Sequence, residues 1–167
     1  MQMSGDDFTA FVAHSGPRLL RYAVLLCGDR GEAEDLLQET LIRVYPRWHR
    51  LREQQPEAYV RRALTNRAVS RWRSPWHRRR VDGVPERPVP GDELGRADDR
   101  QVLLAALRSL PDRMRAVVVL RYWLGCTEQE AAAELGCSVG SVKSQASRGL
   151  ARLRATVGTA TAQEAGR

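Results

Sequence analysis

Cysteine is scarce in this sequence, and the few that occur exclude two common kinds of stabilisation. Cys27, Cys126 and Cys137 are odd in number, and none of them lies in a paired metal-binding motif. A disulfide framework or a zinc site is therefore not expected, and we predict reduced thiols with no metal and no cofactor.

Long apolar runs and enzyme motifs are missing as well. A transmembrane helix needs about 20 consecutive apolar residues; neither such a run nor a secretory signal occurs, so we expect a cytoplasmic chain with no membrane partner. The chain has no carboxylate cluster at metal spacing, no glycine-rich phosphate loop and no nucleophile paired with a base. We therefore do not expect an enzyme.

Positive charge is abundant and unevenly distributed along the chain. The formal net charge is +7, which favours a polyanionic partner such as nucleic acid. Residues 47–80 hold eleven basic and two acidic residues, and residues 101–167 hold nine basic and five acidic residues. Two basic segments predict two places of contact with nucleic acid.

Residues 127–154 predict a helix-turn-helix, which is two short helices joined by a tight turn. Thr127 can cap the first helix together with Glu130, and Gly136 suits the left-handed position that ends that helix. Ser138 can cap the second helix, in which apolar residues then recur at helical spacing.

The second helix of this motif carries small polar and basic residues away from its apolar stripe. Small side chains let a helix enter the DNA major groove, and arginine can bond a guanine edge or a phosphate. The DNA contacts predicted here are Ser141, Lys143, Ser144, Gln145, Ser147 and Arg148. An ordinary helical hairpin with a solvated basic face is the alternative.

A helix predicted over residues 32–46 has two different sides. The side predicted to be buried consists of Ala33, Leu36, Leu37, Thr40 and Val44. The opposite side consists of Asp35, Gln38, Glu39 and Ile42. An exposed isoleucine among acidic and amide groups favours a protein docking face, and a surface helix with one stray isoleucine is the alternative.

Residues 47–73 combine arginine with aromatic residues, first in a loop and then in a helix that begins near residue 57. Basic side chains can follow a phosphate backbone while aromatic rings stack on bases, a pattern typical of single-stranded nucleic-acid binding. The contacts predicted here are Trp48, Arg50, Arg62, Asn66, Arg67, Arg71 and Arg73. Burial of the tryptophan in the core is the alternative.

Proline and glycine predict where the chain divides. Four of the eight prolines fall between residues 74 and 96, where apolar periodicity is weak. We predict an all-α fold of two small helical domains, residues 1–74 and 98–157, joined by a flexible proline-rich linker over 75–97. The second domain contains the helix-turn-helix, and residues 158–167 are expected to form a disordered tail.

In this order, the segments resemble the sigma-70 family of bacterial RNA polymerase sigma factors, in particular the extracytoplasmic-function (group 4) type. The resemblance covers about residues 6–156. Residues 33–45 are similar to region 2.2 of the family, residues 56–73 to regions 2.3 and 2.4, and residues 110–154 to region 4.

The resemblance implies a sigma factor that directs core polymerase to specific promoters and helps to open the −10 element. The exposed side formed by Asp35, Gln38, Glu39 and Ile42 would dock on the clamp helices of the largest polymerase subunit. Residues 47–56 and the helix bearing Asn66 would hold the melted −10 element, and the helix from Val139 would enter the −35 major groove.

The resemblance also singles out two further positions. Arg121, in a Leu-Arg pair just before the helix-turn-helix, would contact the DNA backbone, and Gln145 replaces an arginine that many relatives carry. Binding by an anti-sigma protein is left open. The alternative function is a helix-turn-helix regulator that binds duplex DNA without core polymerase; it leaves the residue 35–42 face unexplained.

Overall fold

The computed structural model describes residues 3–74 and 96–164, with side chains described at 5–74 and 100–158. All secondary structure in these residues is helical, which confirms the predicted all-α fold. The chain divides into two units, Met1–His77 and Arg78–Arg167. None of the described helices has the length and apolar character needed to cross a bilayer.

The described part of the first unit contains four α-helices. They are α1 (Met3–Cys27), α2 (Arg30–Val44), the single-turn α3 (Trp48–Leu51) and α4 (Pro56–Arg73). A short 3-10 turn, Tyr45–Arg47, joins α2 to α3. The three long helices pack against one another in pairs, so each buries one side.

Local signals set the start of α2. Gly28 adopts a left-handed φ of 75° directly after α1, a conformation that glycine reaches without a steric penalty. Asp29 then caps α2, because its Oδ1 accepts a hydrogen bond from the Glu32 backbone N–H at 2.8 Å.

The core of the first unit lies between α1, α2 and α4. Leu19, Leu36 and Leu64 are among its fully buried side chains. Within it, the Tyr22 and Thr65 hydroxyls form a buried hydrogen bond of 2.7 Å, which satisfies two polar groups that would otherwise be costly to bury.

The second unit contains four α-helices in its described part. They are α5 (Arg96–Arg108), α6 (Asp112–Val118), α7 (Glu128–Leu135) and α8 (Val139–Glu164). A π-helical turn, Val119–Trp123, continues α6. The long helix α8 packs against α5, α6 and α7, and Val142 is fully buried in this contact.

Two predicted boundaries differ from the structure. Helix α8 continues to Glu164, so residues 158–164 are not the disordered tail that was predicted. After Gly158 the sequence contains alanine, glutamine and glutamate and no proline, which favours continuation of a helix. Helix α5 begins at Arg96, inside the linker that was predicted over 75–97. Residues 75–95 of that linker and residues 165–167 lie outside the described residues.

Helices α8 and α6 approach closely at Gly149. This glycine is buried, and a Cβ added to it would lie 2.6 Å from Val118 Cγ2 and 3.2 Å from Met114 Cγ. Real Cβ atoms do not approach other atoms that closely, so the missing side chain is what permits this packing.

We expect Gly149→Ala to lower the free energy of unfolding by about 1–3 kcal/mol, the usual cost of overpacking a core. This loss should outweigh the roughly 1 kcal/mol by which alanine is the better helix former. Gly158→Ala is a matched control in the same helix, because nothing lies within 4 Å of its added Cβ, and it should be neutral or stabilising. Chemical denaturation followed by circular dichroism measures both; a Gly149→Ala protein as stable as the wild type would contradict the close packing.

Candidate functional site

Helix α2 exposes the side that was predicted to dock a protein. Asp35, Gln38, Glu39 and Ile42 are all exposed, and Ile42 retains 64% of its accessible surface. The opposite side is buried as predicted, at Ala33, Leu36, Leu37, Thr40 and Val44. Because that side supplies the apolar contacts that hold α2 in the unit, the packing does not require the isoleucine and leaves it available to a partner.

An apolar groove adjoins this docking face at the end of α2. It is lined by Phe8, Gln38, Leu41, Ile42 and Tyr45. The Tyr45 ring meets Phe8 edge-on with 5.0 Å between ring centroids, yet remains 51% exposed. Helical periodicity missed this groove because Phe8 comes from α1; only the exposed tyrosine directly after α2 could have indicated it.

Two predicted sites meet at Glu39. Its Oε1 accepts a hydrogen bond from Arg71 Nη2 at 2.8 Å, and its Oε2 accepts one from Arg67 Nη2. Glu39 was predicted to bind protein and the two arginines to bind nucleic acid. The structure therefore joins the predicted docking face of α2 to the basic side of α4 through a single carboxylate.

The surroundings of Glu39 keep it ionised. Burial alone would raise the pKa of its carboxyl, but the hydrogen bonds and positive charges of Arg67 and Arg71 outweigh burial and hold the pKa below its ordinary value. The stabilisation that follows is present at neutral pH and is lost as the pH falls through the lowered pKa. Because Glu39 is 47% exposed, solvent screening limits each ion pair to at most about 1 kcal/mol.

Helix α4 presents a second exposed surface. Arg62, Asn66 and Arg73 are exposed and lie on one side of the helix, at positions i, i+4 and i+11. In the part of the chain that the structure describes, their side chains form no ion pair. Arg50 is also exposed, on α3. These four side chains are available to a polyanion.

Trp48 is not available to nucleic acid, so its predicted role in stacking on bases is wrong. The side chain is only 2% exposed. Its ring packs against Phe8 and Phe11, with centroid distances of 5.1 and 4.8 Å. The composition of the loop could not distinguish an exposed tryptophan from one that anchors α3 to α1.

The helix-turn-helix forms with the predicted caps. Thr127 Oγ1 accepts a hydrogen bond from the Glu130 N–H at 3.1 Å, and the Glu130 carboxylate accepts one from the Thr127 N–H at 2.7 Å. The pKa of the Glu130 carboxyl is lowered by the hydrogen bond from the Thr127 backbone N–H and, to a smaller extent, by one between the carboxyl and the Thr127 side chain. Gly136 ends α7 with a φ of 62°, and Ser138 Oγ accepts from the Ser141 N–H at 3.1 Å. All three caps are confirmed.

Helix α8 turns most of its predicted DNA contacts outward. Lys143, Ser144, Ser147 and Arg148 are exposed, and Ser141 and Gln145 are half-buried. Arg148 Nη2 donates to Ser144 Oγ at 3.0 Å, and Lys143 Nζ lies 3.6 Å from Glu128 Oε2 at the start of α7. Such exposed contacts are weak and can be exchanged for contacts with DNA.

Arg121 has a structural role beside its predicted one. Its Nη1 donates to the Cys126 carbonyl, and its guanidinium carbon lies 6.0 Å from the centre of the Tyr122 ring. Arg121 is half-buried and closes the turn that leads into α7. Its contact with the DNA backbone stays a prediction.

Comparison with known families matches both units. The family described as Sigma-70 region 2 matches residues 11–79, and the family described as Sigma-70, region 4 matches residues 100–153. The RNA polymerase sigma-E factor of Streptomyces coelicolor is 38% identical over 153 residues, which cover 89% of this chain and 84% of that protein. The ECF RNA polymerase sigma factor SigL of Mycobacterium tuberculosis is 33% identical over 154 residues, which cover 83% and 82%.

Solved structures agree with these matches. The sigma factor RpoE of Bartonella quintana, crystallised with the anti-sigma factor NepR, has a TM-score of 0.66 and 27% identity, covering 90% of this chain and 96% of that chain. CnrH, in complex with the cytosolic domain of CnrY, has a TM-score of 0.53 and 25% identity, covering 91% and 88%.

These matches favour the sigma-factor interpretation over a regulator that binds duplex DNA without polymerase. Sequence identity is above 30% over most of both chains. The two family matches, over residues 11–79 and 100–153, include α2, α4 and the helix-turn-helix. The chain belongs to the extracytoplasmic-function group of the sigma-70 family, the RNA polymerase sigma factors that direct core polymerase to promoters.

Proposed function

We propose that the two units recognise different promoter elements while the first unit also binds polymerase. In the first unit, Asp35, Gln38, Glu39 and Ile42 dock on the clamp helices of the largest polymerase subunit. The exposed side of α4, with Asn66, holds the melted −10 element. In the second unit, α8 lies in the major groove of the −35 element.

One observation carries this proposal: a single carboxylate belongs to both surfaces of the first unit. Glu39 lies on the proposed docking face and bonds Arg67 and Arg71 on the proposed strand-binding helix. A protein that opens DNA while bound to polymerase needs these two surfaces in one rigid body. The packing of α2 against α4 meets that need, and the Glu39 contacts lie across that packing.

The charge and exposure of α4 support a role on the nucleic-acid backbone. Arg62 and Arg73 lie on either side of Asn66 along one exposed stripe. Arginine neutralises phosphates, and an asparagine amide can bond the edge of an unpaired base. Arg50 on α3 is the other exposed arginine that the sequence assigns to this element.

The proposed roles are binding and positioning, and we assign no chemical step to this chain. Because core polymerase and promoter DNA are in the bacterial cytoplasm, we propose that the protein acts there. The similar sigma factor RpoE was solved with the anti-sigma factor NepR, which supports an anti-sigma protein as a further partner. The exposed Ile42 and the adjoining groove are the apolar surface that such a partner would cover.

Run-off transcription tests the proposed function directly. Purified bacterial core polymerase is incubated with a library of promoter fragments, with and without this protein. We expect new, discrete start sites that depend on the protein and share two upstream sequence elements. Tight duplex binding by the protein alone, with no effect on start sites, would overturn the proposal.

The docking face predicts different effects for two neighbouring carboxylates on α2. Asp35→Asn should weaken binding to core polymerase at least tenfold, about 1.4 kcal/mol, because it removes a charge from the face itself. Glu34→Gln is the control: Glu34 is exposed on the same helix but lies off the face, paired with Arg30 at 2.8 Å. Titration of each labelled variant with core polymerase measures its affinity. An Asp35→Asn protein that binds as tightly as Glu34→Gln would refute the docking assignment.

Because Glu39 is paired as a carboxylate, replacing it with the neutral glutamine should lower the stability by an amount that depends on pH. Glu39→Gln should lower the stability of the first unit at neutral pH by at most about 2 kcal/mol, which is up to about 1 kcal/mol for each of the two ion pairs. The difference from the wild type should vanish as the pH falls through the lowered pKa, because the native carboxyl is then protonated as well. Thermal melts across a pH series measure this, and a difference that persists in acid would argue against the ion pairs.

A further inference from the structure

Gln145 and Ser141 form a side-chain pair in the first turns of α8. Gln145 Nε2 donates a hydrogen bond to Ser141 Oγ at 2.9 Å, one helical turn earlier. Both side chains are half-buried, so the contact is partly shielded from water. The Ser141 backbone N–H is itself bonded to Ser138 Oγ, so the hydroxyl that orients the amide lies in a capped first turn.

This contact determines which hydrogen-bonding groups of Gln145 stay available. A glutamine amide has two N–H donors and one carbonyl acceptor. Ser141 accepts one of the donors, which leaves one N–H and the Oε1 acceptor side by side. In the major groove, adenine presents the complementary pair, the N7 acceptor beside the N6 donor.

The other bases fit this arrangement less well. Guanine presents two acceptors, N7 and O6, and would need both N–H groups of the amide. Cytosine offers only a donor and thymine an acceptor beside a methyl group, so each can form one bond with the amide. Because the hydrogen bond with Ser141 already restricts the amide, less side-chain conformational entropy is lost when the amide binds a base.

We propose that Gln145 reads an adenine in the −35 element and that Ser141 is the positioning residue that orients its amide. This inference rests on the proposed function of α8, because it requires the helix to lie in a major groove. Arg148 and Lys143 have different partners, Ser144 and Glu128, and present only donors. Each serine hydroxyl of this face donates and accepts through one oxygen, whereas Gln145 presents a donor and an acceptor on two adjacent atoms, as a bidentate contact with adenine requires.

The test measures base preference in the complete holoenzyme. Core polymerase with the full-length protein transcribes a promoter library whose upstream element is randomised, and sequencing of the transcripts gives the preference at each position. We expect the wild type to prefer adenine at one position by roughly 5- to 150-fold, the range expected for a bidentate contact with a base. Gln145→Ala should remove that preference and leave the other positions unchanged.

Gln145→Glu gives a sharper result because it replaces the donor by a second acceptor. A carboxylate accepts from the cytosine N4 group, so the preferred base at this position should change from adenine to cytosine. The added negative charge should lower transcription from every promoter alike. Relative base preference, not total yield, is therefore the measurement.

Two variants of equal shape test the positioning role of Ser141. Ser141→Thr keeps the hydroxyl and should retain the adenine preference, whereas Ser141→Val has the same branching without a hydroxyl and should lose most of it. A purely structural role for Ser141 would lower transcription in both variants without changing base preference, and that result would overturn the positioning role.

The outcomes separate this inference from the function on which it rests. The inference alone would be overturned if the wild type and Gln145→Ala both gave factor-dependent start sites with the same base preferences. A wild-type preference for guanine at the position that Gln145 controls would also overturn it, because two free N–H groups require the opposite amide orientation. No factor-dependent start site with the wild type would overturn the proposed function, and the inference with it.

Discussion

The packing of α2 against α1 and α4 is the constraint on which the first unit depends. It buries the apolar side of α2, including the fully buried Leu36, and thereby leaves Ile42 and its polar neighbours exposed. The same packing brings Glu39 within hydrogen-bond distance of Arg67 and Arg71 on α4. A polymerase at the proposed docking face and a DNA strand at the proposed α4 site would therefore bind one group of packed helices.

The structure combines strong constraints in its cores with weak contacts on its surfaces. At Gly149 a single added carbon would clash with Val118 and Met114, so the position of α8 on α6 is tightly determined. The exposed pairs are worth at most about 1 kcal/mol each, among them Arg148 with Ser144 and Lys143 with Glu128. The helix packing is thus fixed, whereas the side chains that we propose to contact the −35 element are held only by weak pairs.

Sequence reasoning succeeded where local periodicity or local chemistry is decisive. The two sides of α2 follow from apolar spacing, and the capping box at Thr127 and the left-handed Gly136 follow from short-range hydrogen bonding and backbone sterics. It failed for Trp48, because α3 is a single turn without a readable period and the partners Phe8 and Phe11 belong to another helix. It also missed the groove at Tyr45 and the continuation of α8 to Glu164.

The sequence by itself determined the helical class, the helix-turn-helix and the identity of the exposed faces, because each depends on residues within a few turns of one another. Only the tertiary structure decided which side chains from different helices meet. Glu39 with Arg67 and Arg71, and Trp48 with Phe8 and Phe11, are contacts between residues far apart in the chain. Such contacts depend on how whole helices pack, which no local pattern encodes, and they decide which predicted residues are free to bind.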